Sequence, residues 1–564
     1  MEANKFITYV KNLCAIENLV LYEPKYRDIY CQQLVNENIL LPLNPVLRPN
    51  SYLARSSLDD VARLEASTYV CTKTKDNIEN WENTNVMKGK LIPLFDKCMK
   101  NKEAYLIAFV LGDIDDEYSL FGLMITDSLY TAINMGIICQ CGFDVFLKIS
   151  TKNTFIKCLH SVGKNPIVSV FRGLQWVSSQ IKYICNFPEE NLVMSYGSGY
   201  GGNSILSKKC CALRMASYYG WKEGWYAEHM MLISLTNKID NRTIYIAGSF
   251  PSSCGKTNMA LLKSYDKDWE IKTLGDDITW FRVINNKLCG MNPETGFFGV
   301  APNTSIKTNP VCMETISKNT LFTNVGLTSN NDVYWEGMNV EEEVDEIIPW
   351  NDHNTNSKAH PNSRFTVDIS QCPQWDKNND KKWVPISAII FGGRRSTSCM
   401  PLIRRALDFK HGVLMGATLS SEMTAAAEGV VGTLRYDPFA MGPFVGYAWR
   451  DYFEHWLNLE NKLEKSPQFY YINLFAKINN KFVWEGFSRN IELLKWIYHC
   501  EYDNEIELIK TMHGYFPDDE DINSMANMSN LFWLNQYQKD KEYLEAKKSP
   551  QILIDMLDEK INNL

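Results

Sequence analysis

The string Phe250-Pro251-Ser252-Ser253-Cys254-Gly255-Lys256-Thr257 constrains this chain more than any other segment. It lies between the apolar run Ile244-Tyr245-Ile246-Ala247 and the helix-forming Met259-Ala260-Leu261-Leu262. A strand feeding a loop of small residues and then a helix start belongs to an α/β fold, and it gathers backbone amides around one anion. Lys256 adds a point charge and Thr257 offers a hydroxyl to a metal, so the segment reads as a phosphate-binding loop. A strict Walker A loop requires glycine at position 250, where this chain has Phe, and the nearest glycine, Gly248, comes two residues early.

Length and charge narrow the setting. At 564 residues the chain exceeds what one core usually serves, which predicts two or more domains. A net charge of −8 argues against a nucleic-acid binder, which would normally show a basic stripe, so anion binding has to be local. The apolar runs Ala104 to Gly112 and Pro385 to Gly393 are too short to span a bilayer. Met1-Glu2-Ala3-Asn4-Lys5 carries an acid and resembles neither a signal nor a transit peptide, so a soluble protein is expected. The sixteen cysteines are scattered without a paired C-x-x-C set, and Cys139 with Cys141, or Cys210 with Cys211, lacks zinc-site spacing. They read as reduced thiols of a cytoplasmic enzyme.

Residues 1 to about 50 read as helical and then loop-like, ending in the cluster Pro42, Pro45, Pro49. Mixed α/β alternation follows from about 104 to 235, and Met231 to Leu235 and Thr243 to Ala247 bracket a turn. From about 490 onward the pattern reads as helical and charged. Asp276-Asp277 follow Ile271 to Gly275 at a strand end, where open α/β sheets present ligands. Alone the acidic pair would be a solvated turn; twenty residues past Thr257 it suits a metal. Other candidates also have a bland reading when taken alone. His229 beside Glu228 would be a satisfied histidine, Lys208-Lys209 a solvated basic pair, and Phe475, Phe482 and Phe487 ordinary aromatic core.

Phe250 to Asn258 closely resembles the kinase loop of the GTP-type phosphoenolpyruvate carboxykinases, in which a Cys directly precedes Gly-Lys-Thr. Ser195-Tyr196-Gly197-Ser198-Gly199-Tyr200-Gly201-Gly202-Asn203-Ser204 resembles that family's substrate loop. Further matches run in the family's order at Gly224 to Met230, Gly275 to Asp277, Asn292 to Ser305, Ala359 to Phe365, Phe391 to Arg395 and Asp437 to Phe444. Together they cover roughly residues 55 to 500.

The resemblance implies an α/β, two-domain phosphoenolpyruvate carboxykinase fold with mixed sheets, a P-loop-like kinase motif and a mobile lid at about 420–432. An N-terminal substrate-binding domain would span 1–228 and a C-terminal nucleotide-binding domain 229–564. The implied reaction decarboxylates oxaloacetate to an enolate that takes the γ-phosphoryl of GTP, giving phosphoenolpyruvate, GDP and CO2, reversibly. By the same resemblance Lys209, His229 and Asp277 ligate a catalytic Mn2+, while Thr257 ligates the nucleotide's Mg2+ or Mn2+ with Asp276 in support. Arg63, Asn362 and Arg364 hold the substrate's anionic groups, Tyr200, Gly201 and Gly202 lie beside it, and Ser252 touches it. Ser253, Cys254, Gly255, Lys256, Thr257, Asn258 and Arg394 take the phosphates, with Cys254, Lys256, Arg364 and Arg394 catalytic. Phe475, Phe482, Phe487 and Asn490 form the base pocket.

The chain departs from the family pattern at Glu485 and Ser488-Arg489 between the pocket residues, at Ser420 and Gly442 where Arg is usual, and at Gly429 where His is common. Two rival readings stand beside the GTP enzyme: a family member using another donor such as pyrophosphate, and a catalytically dead binding or regulatory paralogue. The expected state is a cytoplasmic monomer with no nucleic-acid or membrane partner. Cys254, in an electropositive loop at a helix start, is expected to be thiolate-like and easily modified.

Overall fold

The apolar run Ala104 to Gly112 forms the strand Glu103–Leu111, buried along its length from Ala104 onward. A near-continuous apolar strand needs cover on both faces, and it lies second in a large mixed sheet. The computed structural model describes the chain except residues 1, 62–63, 76–77, 201–205, 252–253, 339–345, 352–356, 397–399, 424–431, 480, 504–505, 520–521 and 523–527. Arg63, Gly201, Gly202, Ser252, Ser253, Gly429 and most of the expected lid therefore lie outside the described residues.

The chain divides into two compact units that interleave in sequence, one of Met1–Ala216 with Pro293–Trp375, the other of Ser217–Asn292 with Asp376–Leu564. The single boundary read at 228/229 does not anticipate the return of 293–375 to the first unit. Both units carry mixed α/β sheets, as expected.

In the first unit Asn18–Leu21, Glu103–Leu111, Leu120–Thr126, Ile156–Ser161, Leu192–Tyr196, Tyr183–Phe187, Thr68–Thr72 and Trp81–Asn83 lie side by side. Leu120–Thr126, Ile156–Ser161 and Leu192–Tyr196 run parallel, so the turns after Thr126, Ser161 and Tyr196 leave from one edge. The substrate-loop signature begins there. Late segments Gly296–Val300, Leu321–Thr323 and Arg364–Asp368 join the early strands Leu41–Pro42 and Tyr52–Ala54 in a second sheet.

In the second unit Met230–Asn237 and Arg242–Ser249 form the hairpin expected from the sequence. Arg242–Ser249 runs parallel to Val384–Gly392, which runs parallel to Gln468–Ile472. The charged stretch after 490 is not wholly helical: helix Asn490–Tyr502 is followed by Leu508–Thr511 and Gly514–Pro517, which pair at the sheet's edge. Gly514, at φ +136°, makes the tight turn between them, and the polar Lys510 and Thr511 hide a short period-two pattern. All cysteines among the described residues are free thiols.

Candidate active site

Strand direction collects the nucleotide-side candidates. Arg242–Ser249, Val384–Gly392 and Gln468–Ile472 end at one edge, followed by the loop to Lys256, by Arg394 and by Phe475. Trp269–Gly275 is antiparallel to Met230–Asn237, which is itself antiparallel to Arg242–Ser249, so Asp276-Asp277 leave from the same edge and His229 enters there. This is the edge at which open α/β sheets bind ligands.

Phe250 occupies the Walker glycine position for a packing reason. Its ring is buried under the sheet, and a Cβ at Gly392 would lie 2.0 Å from it, so the loop is anchored by an aromatic fitted against a bare backbone. Gly255 adopts φ +102°, a left-handed conformation that side chains resist, and caps the short helix Lys256–Ala260. That turn aims Lys256 at Asp277, whose Oδ1 accepts its ammonium.

His229 Nε2 stands 3.0 Å from the same Asp277 oxygen. Its Nδ1 lies 3.0 Å from the Ala440 carbonyl, which only accepts, so Nδ1 carries a proton; Nε2 faces the carboxylate as an N–H donor when the ring is an imidazolium and as a lone pair when it is neutral. A carbonyl behind the imidazole is the usual outer support of a metal ligand, and the neutral ring with Asp277 offers a cation two electron-pair donors. Among the described residues no three His, Cys, Asp or Glu side chains converge as a metal cage, so the donor set suits a metal only with a different third ligand. Asp276 is buried beside Asp277, and Thr257 and Asn258 lie one and two positions beyond Lys256 on the same short helix.

Arg394 lies flat on Phe475, its guanidinium carbon 3.8 Å from the ring centroid, and burial holds its pKa below the usual value. Its amide donates to Ser421 Oγ at 3.0 Å, and the Ser421 hydroxyl also meets Cys254 Sγ at 3.0 Å. Burial pushes the Cys254 thiol up to about 11, against the pull of Ser421 and Arg394. The thiolate-like Cys254 read from the sequence is therefore corrected: desolvation outweighs the nearby guanidinium. Ser421 and Glu422 were read only as lid, yet Glu422 accepts from Ser396 on the arginine loop and Ser420 accepts from Arg395 at 2.8 Å. Gly442 is bare because a Cβ there would come within 2.7 Å of Asp437 Oδ1, which already accepts the Gly442 amide.

Phe475 packs against the core, but Phe482 and Phe487 do not belong to it. Phe482 is 54% and Phe487 42% exposed, flat hydrophobic faces that suit a stacked base. Asn490 is buried at the start of its helix, and its Oδ1 accepts from Trp484 Nε1 at 2.8 Å. Indole nitrogen only donates, so the amide nitrogen is the end left to meet a ligand.

In the first unit the basic pair is split. Lys208 is fully buried and donates to both Glu294 oxygens, at 2.8 and 2.6 Å, whereas Lys209 is only partly covered. Both ride on the wide π-helical turn Leu206–Met215, a winding common at functional sites. The solvated-pair reading therefore fails for Lys208, whose partner lies 86 residues away. Arg364 begins the strand Arg364–Asp368, its guanidinium 4.9 Å from the Phe298 ring centroid, and Asn362 is buried two residues before it. The Asn362 amide donates to His360 Nδ1 at 3.0 Å, and burial beside Arg364 holds His360 down to about 4. Tyr200 is fully buried, its ring 6.0 Å from Tyr130 and 5.4 Å from Trp176.

Residues 225–562 match the family model described as the phosphoenolpyruvate carboxykinase C-terminal P-loop domain, and 5–221 match the N-terminal domain of the same enzymes. The chain is 44% identical over 513 residues to phosphoenolpyruvate carboxykinase [GTP] of Chlamydia muridarum, covering 89% of this chain and 85% of that one. It is 41% identical over 556 residues to the Chlamydia pneumoniae protein of that name, covering 94% and 92%. With the Corynebacterium jeikeium protein it shares 42% identity over 505 residues, covering 87% and 82%.

Proposed function

The chain belongs to the GTP-type phosphoenolpyruvate carboxykinase family, and on that premise we propose which of its residues carry the reaction. It is a carboxy-lyase that converts oxaloacetate and GTP to phosphoenolpyruvate, GDP and CO2. The reaction moves no proton. The electron pair of the breaking C–C bond stays with the remaining fragment as an enolate, whose oxygen takes the γ-phosphoryl while the β–γ bridging oxygen leaves with GDP. Such chemistry asks for positioning and positive charge rather than a general base.

The observation that carries the assignment is the convergence of Lys256 and His229 on one Asp277 oxygen at the ligand-binding edge of the sheet. Lys256 is poised to leave that oxygen for the transferring phosphoryl group, and Arg394, braced on Phe475, sits on the neighbouring loop to meet the same charge. His229 and Asp277, with Lys209 as third protein ligand, would hold a divalent ion, manganese by preference, which would supply further positive charge against the developing negative charge. The 3.0 Å approach of His229 Nε2 to Asp277, with a carbonyl behind the ring, supports that assignment. In this reading Thr257 supports the nucleotide's own metal, and Arg63, Asn362 and Arg364 hold the substrate's carboxylate and phosphate.

Donor choice follows from Asn490. A purine stacked against Phe482 and Phe487 would present its six-position to the amide nitrogen, a donor that suits the oxo group of guanine and opposes the amino group of adenine. We take the enzyme to work as a monomer on dissolved substrates in the cytoplasm, and the free thiols among the described residues support that compartment. Phosphoenolpyruvate formation should be measured with GTP, ITP, ATP and pyrophosphate side by side. GTP and ITP are expected to lead in kcat/KM, and ATP or pyrophosphate equalling GTP would overturn the base-pocket reading.

A further inference from the structure

A carboxylate buried at the beginning of the substrate loop has no role in the chemistry above. Asp60 is 0% exposed. Its Oδ1 accepts from Ser198 Oγ at 2.7 Å, and its Oδ2 accepts from the Gly199 amide at 2.7 Å and from Trp176 Nε1 at 2.8 Å. A buried carboxylate is costly unless donors meet it, and here three do.

The same two loop residues are held from other sides. The Ser198 carbonyl accepts from His160 Nε2 at 2.7 Å, and His160 Nδ1 in turn accepts from the Thr126 hydroxyl at 2.6 Å. The Ser198 hydroxyl oxygen accepts the Tyr200 amide at 3.1 Å. Gly199 lies so close to the indole that a Cβ would sit 2.8 Å from Trp176 Cε2. Trp176 also packs against the Tyr200 ring, so Asp60 fixes both the backbone leading into Tyr200 and one wall of the aromatic slot that receives its side chain.

We infer that Asp60 is a positioning residue for the oxaloacetate side of the reaction. It fixes the peptide groups from which Tyr200, Gly201 and Gly202 follow, and it does so from the segment that reaches Arg63 three residues later in the chain. Two stretches assigned to substrate binding thus start from one carboxylate. The inference rests on the proposed substrate roles of those residues, and its distinctive consequence is selectivity: the oxaloacetate site should suffer while the nucleotide site does not.

Asp60→Asn tests this in the full-length protein. The amide keeps the shape, but its NH2 can face only the Ser198 hydroxyl, which must then turn to accept, so one charge-assisted bond and the charge itself are lost. With oxaloacetate and GTP varied independently, the KM for oxaloacetate should rise about tenfold, the effect of one such bond, with kcat falling less and the KM for GTP within about twofold of wild type. Unchanged KM values, or a parallel rise for both substrates, would overturn the inference. Should Asp60→Asn not give folded protein by circular dichroism, Trp176→Phe, which removes a single donor from Oδ2, is read the same way with a smaller, about threefold, shift in the oxaloacetate KM alone. Wild-type protein that makes no phosphoenolpyruvate would sink the proposed function and this inference together. An active wild type with an unaffected variant would sink the inference alone.

Discussion

Asp277 in the second unit and Asp60 in the first are both buried carboxylates at the outlet edge of a sheet, yet their surroundings are opposite in kind. Asp60 meets three donors from its own fold, and its lone pairs are matched within the chain. Asp277 takes an ammonium and an imidazole nitrogen on one and the same oxygen, so its two partners crowd a single atom. The contrast separates polar groups that hold the fold from polar groups held ready for a ligand. Burial alone does not distinguish them; the charge of their partners does, neutral donors around Asp60 and an ammonium at Asp277.

The sharpest way to break this comparison is to delete each kind of group. Asp277→Ala and His229→Ala should each lower kcat by about 10^4-fold under saturating manganese, because the proposed reading gives each of them a hold on the metal, while leaving the melting temperature nearly unchanged. A large fall in thermal stability would put Asp277 with the scaffold instead. The converse should hold for Lys208. Lys208→Met leaves Glu294 buried without its cation and should cost about 3–5 kcal/mol in urea denaturation, whereas Lys208→Met with Glu294→Leu should recover most of that loss. If the single variant is as stable as wild type, the pair is not structural.

A smaller effect belongs to His360. Its pKa is held at about 4 in the folded chain against an ordinary 6.5, so between those values the unfolded chain binds the extra proton. The stabilising contribution is fully present above pH 6.5 and is lost as pH falls through 4, about 3 kcal/mol in all. His360→Gln should flatten this part of the stability profile, and an unaltered slope would show that other groups dominate the acid limb.

Short-range signals were readable in the sequence. The hairpin around Asn237 to Asn241, the helix start at Lys256 and the acidic pair after the strand ending at Gly275 depend on neighbours within a few residues, and each took its expected form. What could not be read depends on partners distant in the chain. The burial of Lys208 is set by Glu294, the aromatic at position 250 by Gly392, and the raised Cys254 thiol by how deeply its loop is covered. The interleaving of the units has the same origin, since no local pattern records that 293–375 turns back to an earlier sheet. Exposure of Phe482 and Phe487 was hidden too, because composition cannot tell an aromatic that packs from one that waits.

The split of the first unit also imposes a timetable on synthesis. Lys208 emerges 86 residues before Glu294, and at about 5–20 residues per second that separation lasts roughly 4–17 s. Throughout the interval the nascent chain carries an ammonium meant for the interior and a sheet lacking Gly296–Val300 and Arg364–Asp368, while the whole phosphate-binding loop is being made. The earlier unit can therefore finish folding only once residues 293–375 have been made, after the phosphate-binding loop of the later unit has been translated.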